Sequence, residues 1–183
     1  MLTGEEYYSQ YINGNDSAFE RVMSAYYDCL VLFVNGYLHS LSDSEDVASE
    51  CFLHIAIHKR KYNFSTSLKT YLFTLGRSRA LNFLKKKNRK KTANLDDYTH
   101  LFSDKDAVDM VVEQNERNVA LYQAINQLAS DMRTVLYLFY FENMSYDEVA
   151  KITSKSKKQI DNLLYRAKKE LKIILKKEGS NNE

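Results

Sequence analysis

A cluster of polar and basic residues near the C-terminal end of the sequence has side chains suited to binding duplex DNA. Lysine and arginine can neutralise phosphates or hydrogen-bond to guanine, and asparagine can pair with adenine. Such side chains recur at helical spacing within residues 145–171, which read SYDEVAKITSKSKKQIDNLLYRAKKEL. The positions that would share one exposed side, called the recognition face below, are Ser156, Lys157, Lys158, Asp161, Asn162, Tyr165 and Arg166. The sequence therefore predicts a DNA-contacting surface on this segment.

Two short helices joined by a turn are predicted to position the recognition face. Ser145 followed by Glu148 makes a capping box, which gives the first helix a defined start. Ser154 falls in the turn, and Ile160 and Leu163 are spaced to hold the second helix against the first. In a helix-turn-helix the second helix lies in the major groove and presents its N-terminal residues to the bases. The pattern predicts this motif.

The charge distribution agrees with a polyanionic partner. Residues 151–177 contain ten lysines or arginines and two acids, a local charge of +8 in a chain of formal net charge +2. Segregation of this size favours nucleic-acid binding. The alternative is a solvated amphipathic helix at the end of a bundle. The capped helix and the turn that come first favour the DNA interpretation.

A second group of residues has the composition of a single-stranded nucleic-acid site. Residues 59–67 read KRKYNFSTS, and a helix is predicted to follow from Leu68 to Lys87. Bases stack on aromatic rings while cations hold the backbone. The candidates are Tyr62, Phe64, Lys69, Phe73, Arg77, Ser78, Asn82 and Lys85. Because aromatic residues at helical spacing also form cores, the residues alone leave core and binding roles equally open.

Acidic residues mark the outer side of an earlier helix, for which Ser42 and Glu45 are predicted to form the opening capping box. Asp43, Glu45, Asp46 and Glu50 crowd its first turns, where the helix dipole favours acids, and this alone could explain them. A partner-binding acidic face is the alternative. The inward side is predicted to carry Val47, Ala48, Cys51, Phe52 and Ile55.

Composition limits the class of protein. The chain has 183 residues, 44% of them apolar, with no proline and five glycines, which predicts an all-α fold. We find no apolar run of membrane length and no signal peptide, so a soluble, cytosolic protein is expected. Cys29 and Cys51 fall in apolar periodic stretches and are predicted to be core thiols.

Catalytic and metal chemistry find little support. Glu50, His54 and His58 share a helix face and could hold a metal, but no second ligand cluster accompanies them. The sequence has no glycine-rich phosphate loop and no nucleophile with a paired base. We expect no metal, no cofactor, no small-molecule substrate and no enzymatic activity.

The order of segments predicts two small helical domains joined by an acidic linker. Residues 85–91 contain six cations, whereas residues 93–117 contain seven acids and two bases without a sustained apolar period. The predicted parts are an N-terminal helical domain at 1–90, a linker at 91–117, a C-terminal helix-turn-helix domain at 118–177 and a tail at 178–183.

In this order the parts resemble an RNA polymerase sigma factor of the sigma-70 family, in its extracytoplasmic-function (ECF) group. Residues 43–55, DSEDVASECFLHI, look like the family's polymerase-binding helix. Residues 67–87, SLKTYLFTLGRSRALNFLKKK, look like the helix that engages the −10 element, and residues 124–171 resemble the domain that recognises the −35 element. The resemblance implies a factor that binds polymerase and directs promoter-specific initiation.

The resemblance also assigns roles and partners. The recognition face would contact the −35 duplex. Residues implied at the −10 element are Tyr62, Asn63, Phe64, Tyr71, Arg77, Ser78 and Asn82, with positions 62–64 pocketing a base flipped from the non-template strand. Residues implied at polymerase are Asp43, Glu45, Asp46, Glu50 and Phe52. The implied partners are the polymerase core, through its clamp helices and flap, promoter DNA and an anti-sigma factor, while the acidic linker would occupy the path of nascent RNA.

Several residues depart from the family pattern, and Asp161 is the departure that bears most directly on specificity. Asp161 stands where a lysine is common and is the one acid on the recognition face. It either accepts a hydrogen bond from a cytosine amino group or pairs with a neighbouring lysine and contacts no base. The alternative function for the whole chain is a stand-alone helix-turn-helix regulator, which would bind duplex DNA without polymerase.

Overall fold

The computed structural model describes residues 2–93, 121 and 123–180. Within these ranges the chain forms helices and turns and no strand, which confirms the all-α prediction. The chain divides into two compact units, Met1–Phe102 and Ser103–Glu183. Most of the predicted linker, from residue 94 to 117, lies outside the described residues.

The N-terminal unit is built from four helices: α1 (Gly4–Ile12), α2 (Ser17–Leu38), α3 (Leu41–Ile57) and α4 (Leu68–Ala93). The first begins with a capping box in which the Glu6 amide donates to Thr3 Oγ1 at 3.3 Å and the Thr3 amide donates to the Glu6 carboxylate at 2.6 Å. The last continues to Ala93, six residues past the predicted end at Lys87.

Helix α2 is the centre of this unit and packs against the other three helices. Its apolar stripe, which includes Leu30 and Val34, is fully buried. Gly76 lets α4 approach closely, because a Cβ atom there would lie 2.8 Å from Leu30 Cδ1. Cys51 is buried in the same core, as predicted, whereas Cys29 is only half-buried.

The start of α3 differs from the prediction. Ser40, not Ser42, caps the helix, and its side chain accepts from the Asp43 amide at 3.4 Å. The preceding residue, His39, ends α2 in the left-handed region at φ 50°. This sharp reversal lets the next helix begin two residues earlier than the predicted box.

The described part of the C-terminal unit contains a helical segment at residues 123–126, then α5 (Ser130–Leu136), a π-helix (Tyr137–Phe141), α6 (Tyr146–Thr153) and α7 (Lys157–Ser180). Its core includes Ile125, Leu128, Met132, Leu136 and Ala167, with Leu163 and Phe141 packed at its edge. None of the described helices in either unit is long and apolar enough to cross a membrane.

Candidate nucleic-acid interface

The helix-turn-helix is present as predicted, and both of its helices are capped. The Glu148 amide donates to Ser145 Oγ at 3.4 Å, and the Ser145 amide donates to Glu148 Oε2 at 2.9 Å. Helix α6 ends at Ser154, which adopts the left-handed conformation at φ 57°. A second reciprocal pair opens α7: the Ser156 amide donates to Gln159 Oε1 at 2.8 Å, and the Gln159 amide donates to Ser156 Oγ at 3.3 Å.

This second capping box was missed in the sequence, although serine followed by glutamine three residues later is its usual pattern. It changes the role of Ser156, whose hydroxyl serves the helix start. The tight turn and the second cap fix the direction in which α7 leaves α6.

Burial divides α7 into two sides. Ile160, Leu164 and Ala167 are buried against the rest of the unit, with α6 contributing Val149 and Ile152. All members of the recognition face are exposed: Ser156, Lys157, Lys158, Asp161, Asn162, Tyr165 and Arg166. Six of the seven predicted residues therefore lie on the solvent-facing side of α7, and Ser156 caps the start of the helix.

Besides Ser156, which is bonded to Gln159, two members of the recognition face have partners within the unit. Lys157 Nζ lies 2.8 Å from Asp147 Oδ1 on α6, and the Tyr146 hydroxyl donates to Asp161 Oδ1 at 3.3 Å. Of the two alternatives for Asp161, the structure shows no ion pair with a described lysine; the acid accepts a hydrogen bond from a tyrosine and interacts with Lys168 only through its charge. Lys158, Asn162 and Arg166 make no hydrogen bond or ion pair to a described residue.

A cleft of about 480 Å³ lies beside the recognition face. Its wall is formed by Phe139, Tyr140, Tyr146, Asp161, Asn162, Leu164, Tyr165 and Lys168. The Tyr146 ring meets Phe139 edge-on at 5.0 Å, and Lys168 Nζ lies 5.0 Å above the Tyr140 ring. Partial desolvation, then the charge of the Asp161 carboxylate, raises the pKa of Tyr146.

The sequence did not indicate this cleft. Phe139 and Tyr140 belong to the π-helix, whose wider turn shifts side chains away from the positions that a 3.6-residue period predicts. Short π-helical turns often occur at functional sites.

The predicted −10 loop separates into a buried ring and an exposed ring. Tyr62 is only 3% exposed, and its hydroxyl donates to the Thr66 carbonyl. Burial raises its pKa. Its assignment as a base-contacting residue is therefore wrong: it is a core residue that supports the loop. Phe73, also a candidate for either role, is fully buried.

Phe64 is the exposed member of this loop. It is 46% exposed, and its ring centroid lies 4.6 Å from that of Tyr62. Its backbone adopts φ 58°, in the left-handed region that costs a non-glycine residue about 1–3 kcal/mol. Asn63 Oδ1 accepts from the Ser65 amide at 3.1 Å, so Asn63 holds the loop in this shape. The loop therefore presents one aromatic ring on a fixed support.

Three predicted residues of α4 continue the surface that begins at Phe64. Tyr71 is half-buried with its ring 5.3 Å from Tyr62, and Ser78 and Asn82 are exposed. Ser78 and Asn82 follow Tyr71 by seven and eleven residues, so they share its helix face over a length of about 16.5 Å. Arg77 is half-buried and lies about 120° around the helix, so it is not part of that face.

The acidic side of α3 is partly engaged with α4. Arg79 Nη1 lies 2.6 Å from Glu50 Oε2, and Lys87 Nζ lies 3.3 Å from Asp43 Oδ2. Glu45 and Asp46 are exposed.

Phe52 does not belong to this surface. It is only 2% exposed and packs against Tyr27 and Phe19, so its assignment to a polymerase contact is wrong. Its side chain faces inward, as helical periodicity predicts.

Two exposed apolar residues of α3 were missed. Leu53 and Ile57 are 59% and 65% exposed. Spacings of four, three and four put them on one face with Asp46 and Glu50, which we call the α3 stripe. The indication in the sequence was their position outside the inward-facing set. A stripe of two acids followed by two large apolar side chains suits a protein partner.

The histidines of α3 do not form a metal site with their neighbours. The His54 and His58 rings are 4.7 Å apart, but the described part of the chain contains no group of three or more potential metal ligands. Burial, followed by the nearby Arg79 charge, lowers the pKa of His54.

Comparison with known proteins identifies the family of the chain. Residues 22–90 match the family model described as Sigma-70 region 2, and residues 118–171 match Sigma-70, region 4. The chain is 28% identical over 140 residues to the ECF RNA polymerase sigma factor SigM of Bacillus subtilis, covering 76% of this chain and 83% of SigM. It is 23% identical over 147 residues to the RNA polymerase sigma-H factor of Pseudomonas aeruginosa, covering 76% of each.

Solved structures share the fold. The sigma factor RpoE of Bartonella quintana, in complex with the anti-sigma factor NepR, aligns with a TM-score of 0.70 at 18% identity, covering 86% of this chain and 96% of RpoE. CnrH in complex with the cytosolic domain of CnrY aligns with a TM-score of 0.66 at 16% identity, covering 93% and 95%.

The chain belongs to the sigma-70 family of RNA polymerase sigma factors, in the ECF group. It is a factor for promoter-specific transcription initiation, and the stand-alone regulator is not favoured. The resemblance recognised in the sequence is confirmed.

Proposed function

We propose that the recognition face binds the −35 element as duplex DNA, while the Phe64 loop and the α4 face hold an unpaired strand of the −10 element. The observation that carries the proposal is the exposure of Lys158, Asn162 and Arg166 on the first turns of α7, directly after a turn that is fixed by the left-handed Ser154 and the capping box at Ser156. A helix so oriented can enter a major groove with its N-terminal residues toward the bases.

The exposed basic and amide side chains have different tasks. Lys158 and Arg166 supply positive charge for phosphates, which gives affinity without sequence preference. Asn162 can form a bidentate pair with adenine, which gives preference at one position. Lys158→Ala should lower affinity for all sequences and reduce the slope of log affinity against log salt by about 1. Asn162→Ala should weaken the preference at one base pair and leave the others unchanged.

At the −10 element the exposed ring of Phe64 supplies the stacking surface. Unpairing a base costs a few kcal/mol, and one aromatic stack returns about 1–3 kcal/mol. Ser78 and Asn82, about two and three turns beyond Tyr71 on the same face, would hydrogen-bond to the strand that leaves the loop. One stack does not exceed the cost of opening several pairs, so opening requires polymerase as well.

The α3 stripe is the proposed polymerase contact. Leu53 and Ile57 would bury apolar surface, while Asp46 and Glu50 would meet cations of the clamp helices. To do so, Glu50 must give up its ion pair with Arg79 or share its carboxylate between Arg79 and the partner. Exposed ion pairs exchange partners readily because water screens them. The double variant Leu53→Ala, Ile57→Ala should reduce core binding strongly. Met23→Ala, which removes an apolar side chain exposed on α2, is the matched control.

The remaining parts of the proposal concern organisation and partners. The two family matches leave residues 91–117 between them, which supports a linker there, and α4 extends to Ala93 within it. The anti-sigma complexes of RpoE and CnrH support an anti-sigma partner for this chain. The same function leads us to propose three further properties: contact with the polymerase flap, a cytosolic location and no catalysis by the chain itself.

Promoter-specific initiation in a purified system tests the function. The full chain is added to a matching core polymerase with a library of promoter duplexes. Specific transcripts should appear only when both proteins are present. If the chain selects duplexes equally well without polymerase and adds nothing to it, the proposal fails and the stand-alone regulator gains support.

A further inference from the structure

Asp161 is held by a residue outside the recognition helix. The Tyr146 hydroxyl, from the first turn of α6, donates to Asp161 Oδ1 at 3.3 Å. The Tyr146 ring is itself fixed edge-on against Phe139 at 5.0 Å. At 3.3 Å the bond is longer than the usual O–H···O separation, so it contributes little to the stability of the unit.

The second carboxylate oxygen, Oδ2, accepts no hydrogen bond from a described residue. The acid is exposed on the recognition face, and no described lysine or arginine forms an ion pair with it. Lys157 is ion-paired with Asp147, and Lys155 with Asp131 at 2.8 Å. Lys168, in the same cleft, acts on Asp161 through its charge but forms no ion pair with it. Oδ2 is therefore an acceptor without a donor from the described residues, on a residue of the exposed recognition face.

The chemistry of the groove selects the base. A carboxylate only accepts hydrogen bonds, so it needs a donor. In the major groove the donors are the amino groups of cytosine and adenine, but adenine carries its N7 acceptor beside the amino group, which repels a carboxylate. Cytosine presents its amino group without that acceptor.

We propose that Tyr146 is a positioning residue that orients Asp161 to accept a hydrogen bond from a cytosine amino group at one position of the upstream element. The inference rests on the proposed DNA contact of α7 and adds the base and the device that selects it. Tyr146 touches no base in this arrangement; it restricts the carboxylate to the rotamer that leaves Oδ2 toward the groove.

The test selects binding sites with the full chain on core polymerase. The probe is a promoter library with a randomised upstream block and a fixed downstream element, and the readout is base frequency at each position. The unaltered chain should prefer cytosine at one position by about 5- to 10-fold, as expected for one base contact. Asp161→Asn should change that preference to adenine, because an amide both accepts and donates. Tyr146→Phe should reduce the cytosine preference about threefold, at that position alone.

Two control variants separate positioning from general damage. Tyr140→Phe removes a hydroxyl from the same cleft, where Lys168 Nζ lies 5.0 Å above the Tyr140 ring. Glu170→Gln removes one acid farther along α7. Both should leave every base preference unchanged. The effect of Tyr146→Phe should also disappear in the Asp161→Asn background, which a purely structural tie between α6 and α7 would not produce.

The outcomes distinguish the two levels of the proposal. If the unaltered chain selects no upstream sequence at all, the proposed function of the recognition face fails, and this inference fails with it. If the chain is selective but Asp161→Asn leaves the preference at every position unchanged, the inference alone is overturned. A Tyr146→Phe variant that lowers all positions equally, or that matches Tyr140→Phe, overturns the positioning role.

Discussion

Replacing Phe64 by alanine and by glycine separates the function of its ring from the strain of its backbone. The residue has φ 58° and a ring that is 46% exposed over Tyr62. Alanine removes the ring but keeps a Cβ in the left-handed region. Glycine removes both, because it adopts positive φ without steric cost. The two variants should therefore differ in stability but agree in function.

The magnitudes follow from the contacts. Loss of the ring pair with Tyr62, whose centroids are 4.6 Å apart, costs about 0.5–1.5 kcal/mol, and both variants lose it. Relief of the left-handed backbone returns about 1–3 kcal/mol to glycine only, less about 0.5–1 kcal/mol for its greater freedom in the unfolded chain. We expect the glycine variant to be about 1 kcal/mol more stable than the alanine variant. Hydrogen exchange of α4 amides measures this for the N-terminal unit without interference from the other unit.

The fraction of promoter complexes with an open strand should fall in both variants. Loss of one stack of about 1–3 kcal/mol reduces the open population by about 5- to 150-fold, with upstream binding intact. Permanganate reactivity of unpaired thymines in the complex with core polymerase reports opening. Met23→Ala is the control for removal of an exposed apolar side chain. Normal opening by either variant would refute the stacking role, and an alanine variant as stable as the glycine variant would refute the strain.

Three further predictions concern the supports of these surfaces. Gly76→Ala should destabilise the N-terminal unit by about 1–3 kcal/mol, because the added Cβ would meet Leu30 Cδ1 at 2.8 Å; hydrogen exchange in α2 measures it, and unchanged protection would contradict the close approach. Ser145→Ala should cost about 1 kcal/mol through loss of the α6 cap, seen as faster exchange at the start of α6, whereas Ser49→Ala on α3 should leave that exchange unaltered. Burial raises the pKa of Cys51 from 9.0 to about 12. Its neutral thiol therefore contributes its full stability below pH 9, and this contribution is lost as the pH rises toward 12. Alkaline unfolding followed by circular dichroism should begin at higher pH in Cys51→Ala than in the unaltered chain, once the cost of the cavity has been subtracted at neutral pH.

The helices and caps were largely predictable because they depend on local patterns. The box at Ser145 and the exposed face of α7 follow from residue type and a period of 3.6, and both are present. The period also placed Phe52 inside, and its family-derived assignment to a partner surface failed for that reason. Local periodicity was the better guide at that position.

The loop and the cleft were not predictable from pattern. Tyr62 and Phe64 are two residues apart in an irregular segment, where no period indicates which ring is buried. The left-handed backbone of Phe64 determines which ring is exposed. Such a conformation is uncommon for an aromatic residue and is not predicted by its residue type. The π-helix likewise moves Phe139 and Tyr140 to positions that an α-helical count does not give.

Internal ion pairs determine how much each surface gains on binding. Lys157, Glu50 and Asp43 are paired within their own units by Asp147, Arg79 and Lys87. Exchanging such a pair for an external partner replaces one screened contact by another, so the net gain is small and falls further with salt.

Side chains without internal ion pairs carry most of the discrimination for this reason. Asn162 on α7, Leu53 and Ile57 on α3, and the exposed part of the Phe64 ring give up water and no ion pair when they bind. Charge reversal at a paired residue should accordingly change salt dependence and association rate, whereas truncation of an unpaired one should change selectivity, opening or core affinity. A residue ion-paired within its own unit, such as Lys157, whose neutralisation altered base preference would contradict this division. Asp161 falls on the other side of it, because it accepts one hydrogen bond from Tyr146 and forms no ion pair with a described residue.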